Sequence, residues 1–332
     1  MNKNIETSLV NEILVIGSDR LACTIAINLT LANEKVRLLS DNYSATTETL
    51  HHYINHLTKD EKSKINTIQL TEDYQIKSNN TMVIISKECD QTELKSIFNA
   101  LAKNEIEPQW IGVANDYLSL DEIQCCTTYP EKIFGMNWVL PAHHTFFLEL
   151  IHNQTTTKGL VETIAEHGSK KWNKDPYIVS GEQGIRSKMI SALIREAFYL
   201  VSNGYASLQD IDRACRNDAG TYLPFAGNFR YMDLMGTFAY GKVMQELNKE
   251  LSKSTEVPVF FKEIVDNNHL GMKTKQGFYS YTQEEIYDWE KKALTFSGEI
   301  KDIMERYPFD LTKANPTDNK IIHKSQNINI NA

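Results

Sequence analysis

Residues 12–40 read EILVIGSDRLACTIAINLTLANEKVRLLS, and this stretch decides the fold of the first half of the chain. EILVIG (12–17) is a compact apolar run that ends in glycine, which predicts a buried strand. Residues 19–32 carry apolar side chains at helical spacing, and KVRLLS (35–40) predicts a second strand. A strand, a helix and a strand in this order predict a βαβ unit of the dinucleotide-binding type.

The same alternation continues through the first half of the chain, where four further apolar runs predict strands. After about residue 152 the apolar residues recur at three- and four-residue spacing instead, which predicts helices. We therefore predict an α/β Rossmann-type dinucleotide-binding domain followed by an all-α C-terminal domain. The four further strand-like runs are TMVIIS (81–86), QWIGVAN (109–115), KIFGMNWV (132–139) and FFLELI (146–151).

These patterns also set the expected domain boundaries. We expect a Rossmann-like NAD(P)-binding domain over 1–152, a helical domain over 153–285 and a C-terminal extension over 286–332. From about residue 312 the extension is rich in Asn, Lys and Thr without a periodic apolar face, which predicts a disordered tail.

The composition restricts the class of protein. Apolar residues make up 41% and charged residues 23% of the chain, and the net charge is −8, which argues against nucleic acid or an anionic membrane as a partner. There is no apolar stretch long enough to span a bilayer and no signal-peptide pattern at the start. The five scattered cysteines lack metal-ligand spacing. We therefore expect a cytoplasmic protein without a metal site.

The turn after the first strand is the expected pyrophosphate site. A G-x-G-x-x-G fingerprint lets the backbone approach the phosphates at a helix N-terminus. Here only the first glycine remains, Asp19 places a carboxylate near the phosphates, and Arg20 offers a compensating charge. The expected cofactor-binding residues of this turn are Gly17, Ser18, Asp19, Arg20 and Leu21, with Ala22 in place of the last glycine.

The choice between NAD and NADP stays open at this point. The second strand of such folds usually ends in an acid that binds the ribose hydroxyls. That place is held by Ser40, which could accept a 2′-phosphate, and Asp41 follows it directly. Asn115, at the end of a later strand, is a further expected cofactor contact.

Three downstream segments carry a more specific signal. PEKIFGMNWVLPAHHTFFLELI (130–151), DIDRA (210–214) and GMKTKQGFYSY (271–281) resemble, in the right order, segments of the 3-hydroxyacyl-CoA dehydrogenases. The resemblance implies the two-domain fold, a homodimer formed through the helical domain, and hydride transfer between NAD and a β-hydroxy or β-keto acyl substrate, with a coenzyme-A thioester as one candidate. In the family a histidine moves the proton, and a glutamate twelve positions later orients that histidine.

The resemblance also shows where this chain departs from the family. Asn137 stands at the histidine position and Glu149 at the glutamate position. An amide does not exchange a proton near neutral pH, but it donates a hydrogen bond to a carbonyl oxygen. Ser187 stands where the family has a substrate-contacting asparagine, and a serine-rich stretch is replaced by Asn115-Asp116-Tyr117.

Other side chains are candidates for the missing proton transfer. Lys188 follows a glycine-rich helix start, similar to the catalytic lysine of the β-hydroxyacid dehydrogenases, and burial in the cleft would lower its pKa. His143, His144 and Tyr117 are weaker candidates. Two functions follow: an NAD(P)-dependent oxidoreductase of a β-hydroxy/β-keto acyl substrate, or an inactive relative that binds acyl-CoA or nucleotide without hydride transfer.

Overall fold

The computed structural model describes residues 11–65, 68–74, 81–116 and 118–308. Tyr117 and the predicted tail after about residue 312 lie outside the described residues. In the described part of the chain no helix is both long and apolar enough to cross a membrane.

Eight strands form one sheet at the centre of the first part of the chain. They are β1 (Glu12–Ile16), β2 (Val36–Leu39), β3 (Gln69–Thr71), β4 (Thr81–Ser86), β5 (Pro108–Ala114), β6 (Ile133–Asn137), β7 (Phe147–His152) and β8 (Asp175–Ser180). The order across the sheet is β3-β2-β1-β4-β5-β6-β7-β8. Strands β1 to β6 run parallel, β7 is antiparallel to β6, and β8 is parallel to β7. The first six strands therefore have the Rossmann order.

The described residues also form helices, and those of the first part of the chain cover both faces of this sheet. The helices are α1 (Arg20–Leu31), α2 (Tyr43–Asn55), α3 (Lys59–Lys64), α4 (Gln91–Lys103), α5 (Leu120–Gln124), α6 (Leu160–Lys171), α7 (Ile185–Ser202), α8 (Leu208–Asn217), α9 (Ala219–Met235), α10 (Thr237–Leu247), α11 (Val259–Asp266) and α12 (Gln283–Arg306). One apolar core packs α1, α2 and α6 against one face, and a second packs α4 and α5 against the other. Burial on both faces explains the continuous apolar runs of β1 and β4.

The six predicted strands are present, and the structure adds β3 and β8. Strand β3 has only three residues, and β8 is an edge strand whose side chains are half-buried or exposed. Neither carries the continuous apolar run that identified the other strands. Because β8 belongs to the same sheet, that sheet continues to Ser180, past the boundary expected at residue 152.

The chain divides into two compact units. One comprises the residues up to Phe198 together with Asp288–Ser297, and the other comprises Tyr199–Tyr287 and the residues from Gly298 onward. The second unit contains α8 to α11, and Tyr279 donates a hydrogen bond to Asp212 there at 2.7 Å. The predicted fold class, an α/β Rossmann-type domain followed by an all-α region, is confirmed.

Candidate functional site

Three side chains form one row across the last strands of the sheet. Asn137 on β6 pairs in register with Glu149 on β7, and Glu149 pairs with Tyr177 on β8. Neighbours in register project from the same face of a sheet. Asn137 is 4% exposed and Glu149 is fully buried. The row therefore places an amide, a carboxylate and a phenol in contact at a protected position.

Glu149 is the centre of this arrangement because its two oxygens accept four hydrogen bonds. Asn137 Nδ2 donates to Oε2 at 2.9 Å, and Tyr177 Oη donates to Oε1 at 3.1 Å. The backbone N–H groups of Ile185 and Arg186 donate to Oε1 at 2.7 Å and 3.1 Å. These two amides open α7, where the helix has unpaired donors and a partial positive charge. A buried carboxylate is thereby fully satisfied.

The approach of α7 to Glu149 depends on Gly184. A Cβ atom on Gly184 would lie 1.9 Å from Glu149 Oε2, which no side chain tolerates. Burial, and then the charge of Glu149, raise the pKa of the Tyr177 phenol. Tyr177 therefore remains a hydrogen-bond donor to Glu149 over the physiological pH range.

An ion pair joins the loop after β5 to the start of α7. Arg186 Nη1 donates to Asp116 Oδ2 at 2.6 Å, and Ser187 Oγ donates to Asp116 Oδ1 at 3.1 Å. A small cavity beside this ion pair is lined by Asn115, Asp116, Gly184 and Ser187, among others. Lys188 is exposed on the same helix, so the expected burial of its ammonium group is not found within this chain.

The turn after β1 keeps one feature of a dinucleotide site and changes another. A Cβ on Gly17 would lie 2.1 Å from the carbonyl oxygen of Ser86, so only glycine fits there. Asp19 is the N-cap of α1, and its Oδ1 accepts a hydrogen bond from Ala22 N at 2.8 Å. Burial raises the pKa of the Asp19 carboxyl. The Asp19 carboxylate thus accepts a hydrogen bond from an N–H group at the helix start, which would face the phosphates in a dinucleotide site.

The other residues expected in this region have defined partners. Arg20 Nη1 forms a 2.9 Å ion pair with Glu290 of α12, and Leu21 packs against the apolar core. Asn115 Nδ2 donates to the carbonyl of Cys89 at 3.3 Å and its Oδ1 accepts from Leu118 N at 2.8 Å. Arg20, Leu21 and Asn115 therefore have structural contacts at these positions.

The end of β2 presents Asp41 and not Ser40. Ser40 is 2% exposed, and its hydroxyl lies 2.7 Å from that of Thr46. Asp41 accepts a hydrogen bond from Ser18 Oγ at 2.6 Å and forms an ion pair with Lys87 at 2.9 Å. The Ser18 hydroxyl, and after it Lys87, lower the pKa of the Asp41 carboxyl. Asp41 is therefore an ionised acceptor at the strand end.

The residues at the ends of β1 and β2 suit the adenosine half of a dinucleotide. A cavity lined by Gly17, Asp41 and Lys87, among others, opens at the ends of β1 and β2. Ser86 Oγ at the end of β4 is buried and has no hydrogen-bond partner among the described residues. The adenosine half of NAD is thus accommodated by the residues present. The pyrophosphate half requires Asp19 to be protonated or to leave Ala22 N.

The remaining histidine candidates lie in a turn with other partners. His143 is 5% exposed and its ring packs edge-on against Tyr53, and His144 Nδ1 lies 3.0 Å from Ser297 Oγ. Within the described ranges, no three His, Cys, Asp or Glu side chains are grouped so that they could hold a metal ion.

Sequence reasoning missed the residues that complete the site. Tyr177 and Gly184 contact Glu149, and Arg186 contacts Asp116. The run PYIV before a glycine-rich turn was a weak strand signal for Tyr177. The two glycines of GEQG (181–184) before a long helix indicated that the backbone approaches another group closely there, but they did not indicate that this group is Glu149.

Similar proteins were found along nearly the whole described chain. The family model for the 3-hydroxyacyl-CoA dehydrogenase NAD binding domain matches residues 12–182, and that for the C-terminal domain matches residues 185–281. A 3-hydroxybutyryl-CoA dehydrogenase of Clostridioides difficile is 30% identical over 219 residues, which cover 65% of this chain and 76% of the relative. A 5-formyl-3-hydroxy-2-methylpyridine 4-carboxylate 5-dehydrogenase of Mesorhizobium japonicum is 26% identical, and the match spans 51% of this chain and 55% of that relative.

Solved structures show the same fold. The crystal structure of a 5-formyl-3-hydroxy-2-methylpyridine 4-carboxylic acid 5-dehydrogenase has a TM-score of 0.80 at 20% identity, covering 89% of this chain and 99% of that one. A (S)-3-hydroxybutyryl-CoA dehydrogenase from Ralstonia eutropha has a TM-score of 0.61 at 20% identity, covering 82% of this chain and 100% of that one. With both family domains matched in order, the chain belongs to the 3-hydroxyacyl-CoA dehydrogenase family, a family of NAD-dependent dehydrogenases.

Proposed function

We propose that this chain is an NAD-dependent oxidoreductase that reduces the ketone of a β-keto acyl substrate to a β-hydroxyl group. The observation that carries the proposal is the buried Asn137–Glu149 hydrogen bond of 2.9 Å, at the place where the family has its catalytic histidine and glutamate. A fully buried, four-fold hydrogen-bonded carboxylate fixes the orientation of that amide. Such preorganisation is what a hydrogen bond to developing negative charge requires.

In this proposal Asn137 holds the reacting oxygen. Its amide has a second N–H beyond the one donated to Glu149. That N–H donates to the ketone oxygen, and the bond strengthens as the oxygen becomes an alkoxide. A bound, reduced nicotinamide supplies the hydride for this reduction. Asn137 acts as a hydrogen-bond donor and transfers no proton.

Lys188 is the proposed proton donor. It lies four residues after Gly184, in the first turn of α7, whose first backbone N–H groups donate to Glu149. Its side chain is exposed and long enough to change direction when a ligand binds. An ammonium group protonates an alkoxide readily because alkoxides are much stronger bases than amines. The arrangement therefore favours ketone reduction over alcohol oxidation.

Asp41 supports NAD over NADP. Its ionised carboxylate stands at the end of β2, where ribose hydroxyls are bound in Rossmann folds. A 2′-phosphate would meet this negative charge. Ser40, the alternative contact for that phosphate, is buried and bonded to Thr46.

A second candidate function is nucleotide binding without hydride transfer. It is favoured by the Asp19 carboxylate on Ala22 N, because this internal anion competes with a pyrophosphate for the same helix terminus. Replacement of the family's histidine by Asn137 points in the same direction. Both candidates use the cavity beside Asp41.

Binding and turnover measurements separate the two candidates. NADH and NADPH are titrated by fluorescence, and oxidation of bound NADH is then followed with acetoacetyl-CoA and with acetoacetate. The oxidoreductase proposal requires substrate-dependent NADH oxidation that Lys188→Met reduces by about a hundredfold or more. Lys103→Met, an exposed lysine at the end of α4, is the matched control. NADH binding without turnover favours the second candidate, and no binding at about 1 mM excludes the oxidoreductase.

We also propose that the chain forms a homodimer through the second unit. Large apolar side chains are exposed on its helices, including Phe229 at 83% and Phe238 at 80%. Exposed aromatic side chains of this size are enriched at protein interfaces. Sedimentation equilibrium should give twice the chain mass, and Phe229→Glu should shift the protein toward monomer.

A further inference from the structure

Lys87 and Asp41 form an ion pair at the cavity that suits the adenosine half of a dinucleotide. Lys87 follows β4 and Asp41 lies just beyond β2, and these two strands flank β1 in the sheet. Lys87 Nζ lies 2.9 Å from Asp41 Oδ2, so the ion pair connects the two strand ends across β1. The proposed function assigns a role to Asp41 and none to Lys87.

The cavity beside this ion pair is large enough for an adenosine group. Its volume is about 340 Å³, within the range of small-molecule sites. Leu39, Tyr74 and Ile97 are among the residues that line it, and residues of this kind contact the faces of a flat aromatic base. A nucleotide in this cavity therefore has apolar surface for its base and charged side chains for its sugar.

The charges around the cavity are of unequal number. Asp41, Glu72 and Glu93 contribute carboxylates, and Lys87 is the single cation among the described residues that line it. Lys87 Nζ also lies 4.0 Å from Glu93 Oε1, so the ammonium group stands between two carboxylates. An anionic group on a ligand is therefore repelled by most of the charged side chains here and attracted by Lys87 alone.

The 2′ position of the adenosine ribose is where NAD and NADP differ, and Rossmann folds bind it at the end of the second strand. Ser18 Oγ donates to Asp41 Oδ1, and Lys87 pairs with the other oxygen. A 2′-hydroxyl that donates to Asp41 leaves this ion pair intact. A 2′-phosphate in the same place is repelled by Asp41 and attracted by Lys87, so the two opposing charges together set its affinity.

We propose that Lys87 is a specificity-determining residue of the cofactor site, whose ammonium group attracts a 2′-phosphate and limits the preference for NAD that Asp41 creates. The inference rests on the proposed function because it concerns the same nucleotide site. Asp41 and Lys87 act in opposite directions on one phosphate, so removal of either charge shifts the preference in opposite directions. A purely structural ion pair predicts instead that loss of Lys87 changes the affinities for both nucleotides by the same factor.

Calorimetric titration of the full chain with adenosine 5′-monophosphate and with adenosine 2′,5′-bisphosphate tests the inference without hydride transfer. These two nucleotides differ only in the 2′-phosphate, so the ratio of their dissociation constants measures the specificity of the ribose site. The wild-type chain should bind the monophosphate more tightly. Lys87→Met should increase this preference about tenfold, and Asp41→Asn should reverse it. Adding Lys87→Met to Asp41→Asn should abolish the reversed preference.

Lys103→Met is the matched control, because this exposed lysine ends α4 and does not line the cavity. It should leave the ratio of the two dissociation constants unchanged. Circular dichroism of each variant shows whether it is folded, and Asp41→Asn provides an independent test if Lys87→Met is not.

Three results would overturn the inference. They are an unchanged ratio of dissociation constants in Lys87→Met, an unchanged preference for the monophosphate in Asp41→Asn, and no saturable binding of either nucleotide by the wild-type chain at about 10 mM. The expected ratios without NADH oxidation would support the role of Lys87 and contradict the proposed reduction. NADH oxidation with an unchanged ratio in Lys87→Met would contradict only the role of Lys87, so the two failures are distinguishable.

Discussion

Truncating Glu149 tests whether this carboxylate organises the site. Glu149→Ala removes an acceptor from four donors at 2.7 to 3.1 Å. Leaving the buried Asn137 amide without its acceptor costs about 1–3 kcal/mol. Loss of the acceptor for the first amides of α7 costs about 1 kcal/mol, as for a lost N-cap, and loss of the Tyr177 hydrogen bond costs about 1 kcal/mol more. The expected total is about 3–5 kcal/mol of unfolding free energy.

Glu149→Gln separates the hydrogen-bonding geometry from the charge. The glutamine carbonyl takes the place of Oε1, and the Asn137 amide rotates to accept from the glutamine NH₂ group. Only the strengthening of these hydrogen bonds by the carboxylate charge is lost, so we expect the unfolding free energy to decrease by about 1 kcal/mol. The two substitutions should therefore differ by at least about 2 kcal/mol.

Urea unfolding measures the global effect, and amide hydrogen exchange of Ile185 and Arg186 measures the local one. Glu149→Ala should increase exchange of these two amides, because both donate to Glu149. Glu48→Ala, an exposed position on α2, is the control and should stay within about 0.5 kcal/mol of wild type. A Glu149→Ala variant within about 1 kcal/mol of wild type, with unchanged protection of these amides, would refute the reasoning.

Three further predictions concern Gly184, Asp19 and Asn137. Gly184→Ala places a Cβ 1.9 Å from Glu149 Oε2 and should lower the unfolding free energy by about 1–3 kcal/mol in a urea titration, whereas Gly241→Ala, with open space around it, should not. Asp19→Asn keeps an N-cap but removes a negative charge, so NADH should bind about tenfold tighter at neutral pH. Because burial raises the pKa of Asp19, wild-type affinity should rise as pH falls through that pKa, and a flat profile would contradict this reading. Asn137→His supplies a proton-transferring ring against Glu149, so NADH oxidation in this background should depend little on Lys188: adding Lys188→Met should then lower the rate by less than about tenfold, whereas an undiminished loss of about a hundredfold would contradict this role of the histidine.

The sequence by itself determined the scaffold and half of the site. Continuous apolar runs identified β1, β2 and β4 to β7, because strands buried on both faces need apolar residues at every position. The resemblance to the 3-hydroxyacyl-CoA dehydrogenases implied that Asn137 and Glu149 belong to one site, and they lie opposite each other in adjacent strands connected by residues 138–146. These features depend on residues close together in the chain.

Only the tertiary structure decided what surrounds Glu149. Tyr177 reaches it through the register of β8, an edge strand with no continuous apolar run. Gly184 and Arg186 reach Glu149 because α7 begins over the sheet at that point, and Arg186 reaches Asp116 across about seventy residues of chain. Ser40 and Asp41 are adjacent in sequence, and both follow the end of β2 at Leu39. Ser40 is nevertheless buried against Thr46, whereas Asp41 is exposed. Contacts of this kind depend on how distant segments pack, and no local pattern encodes them.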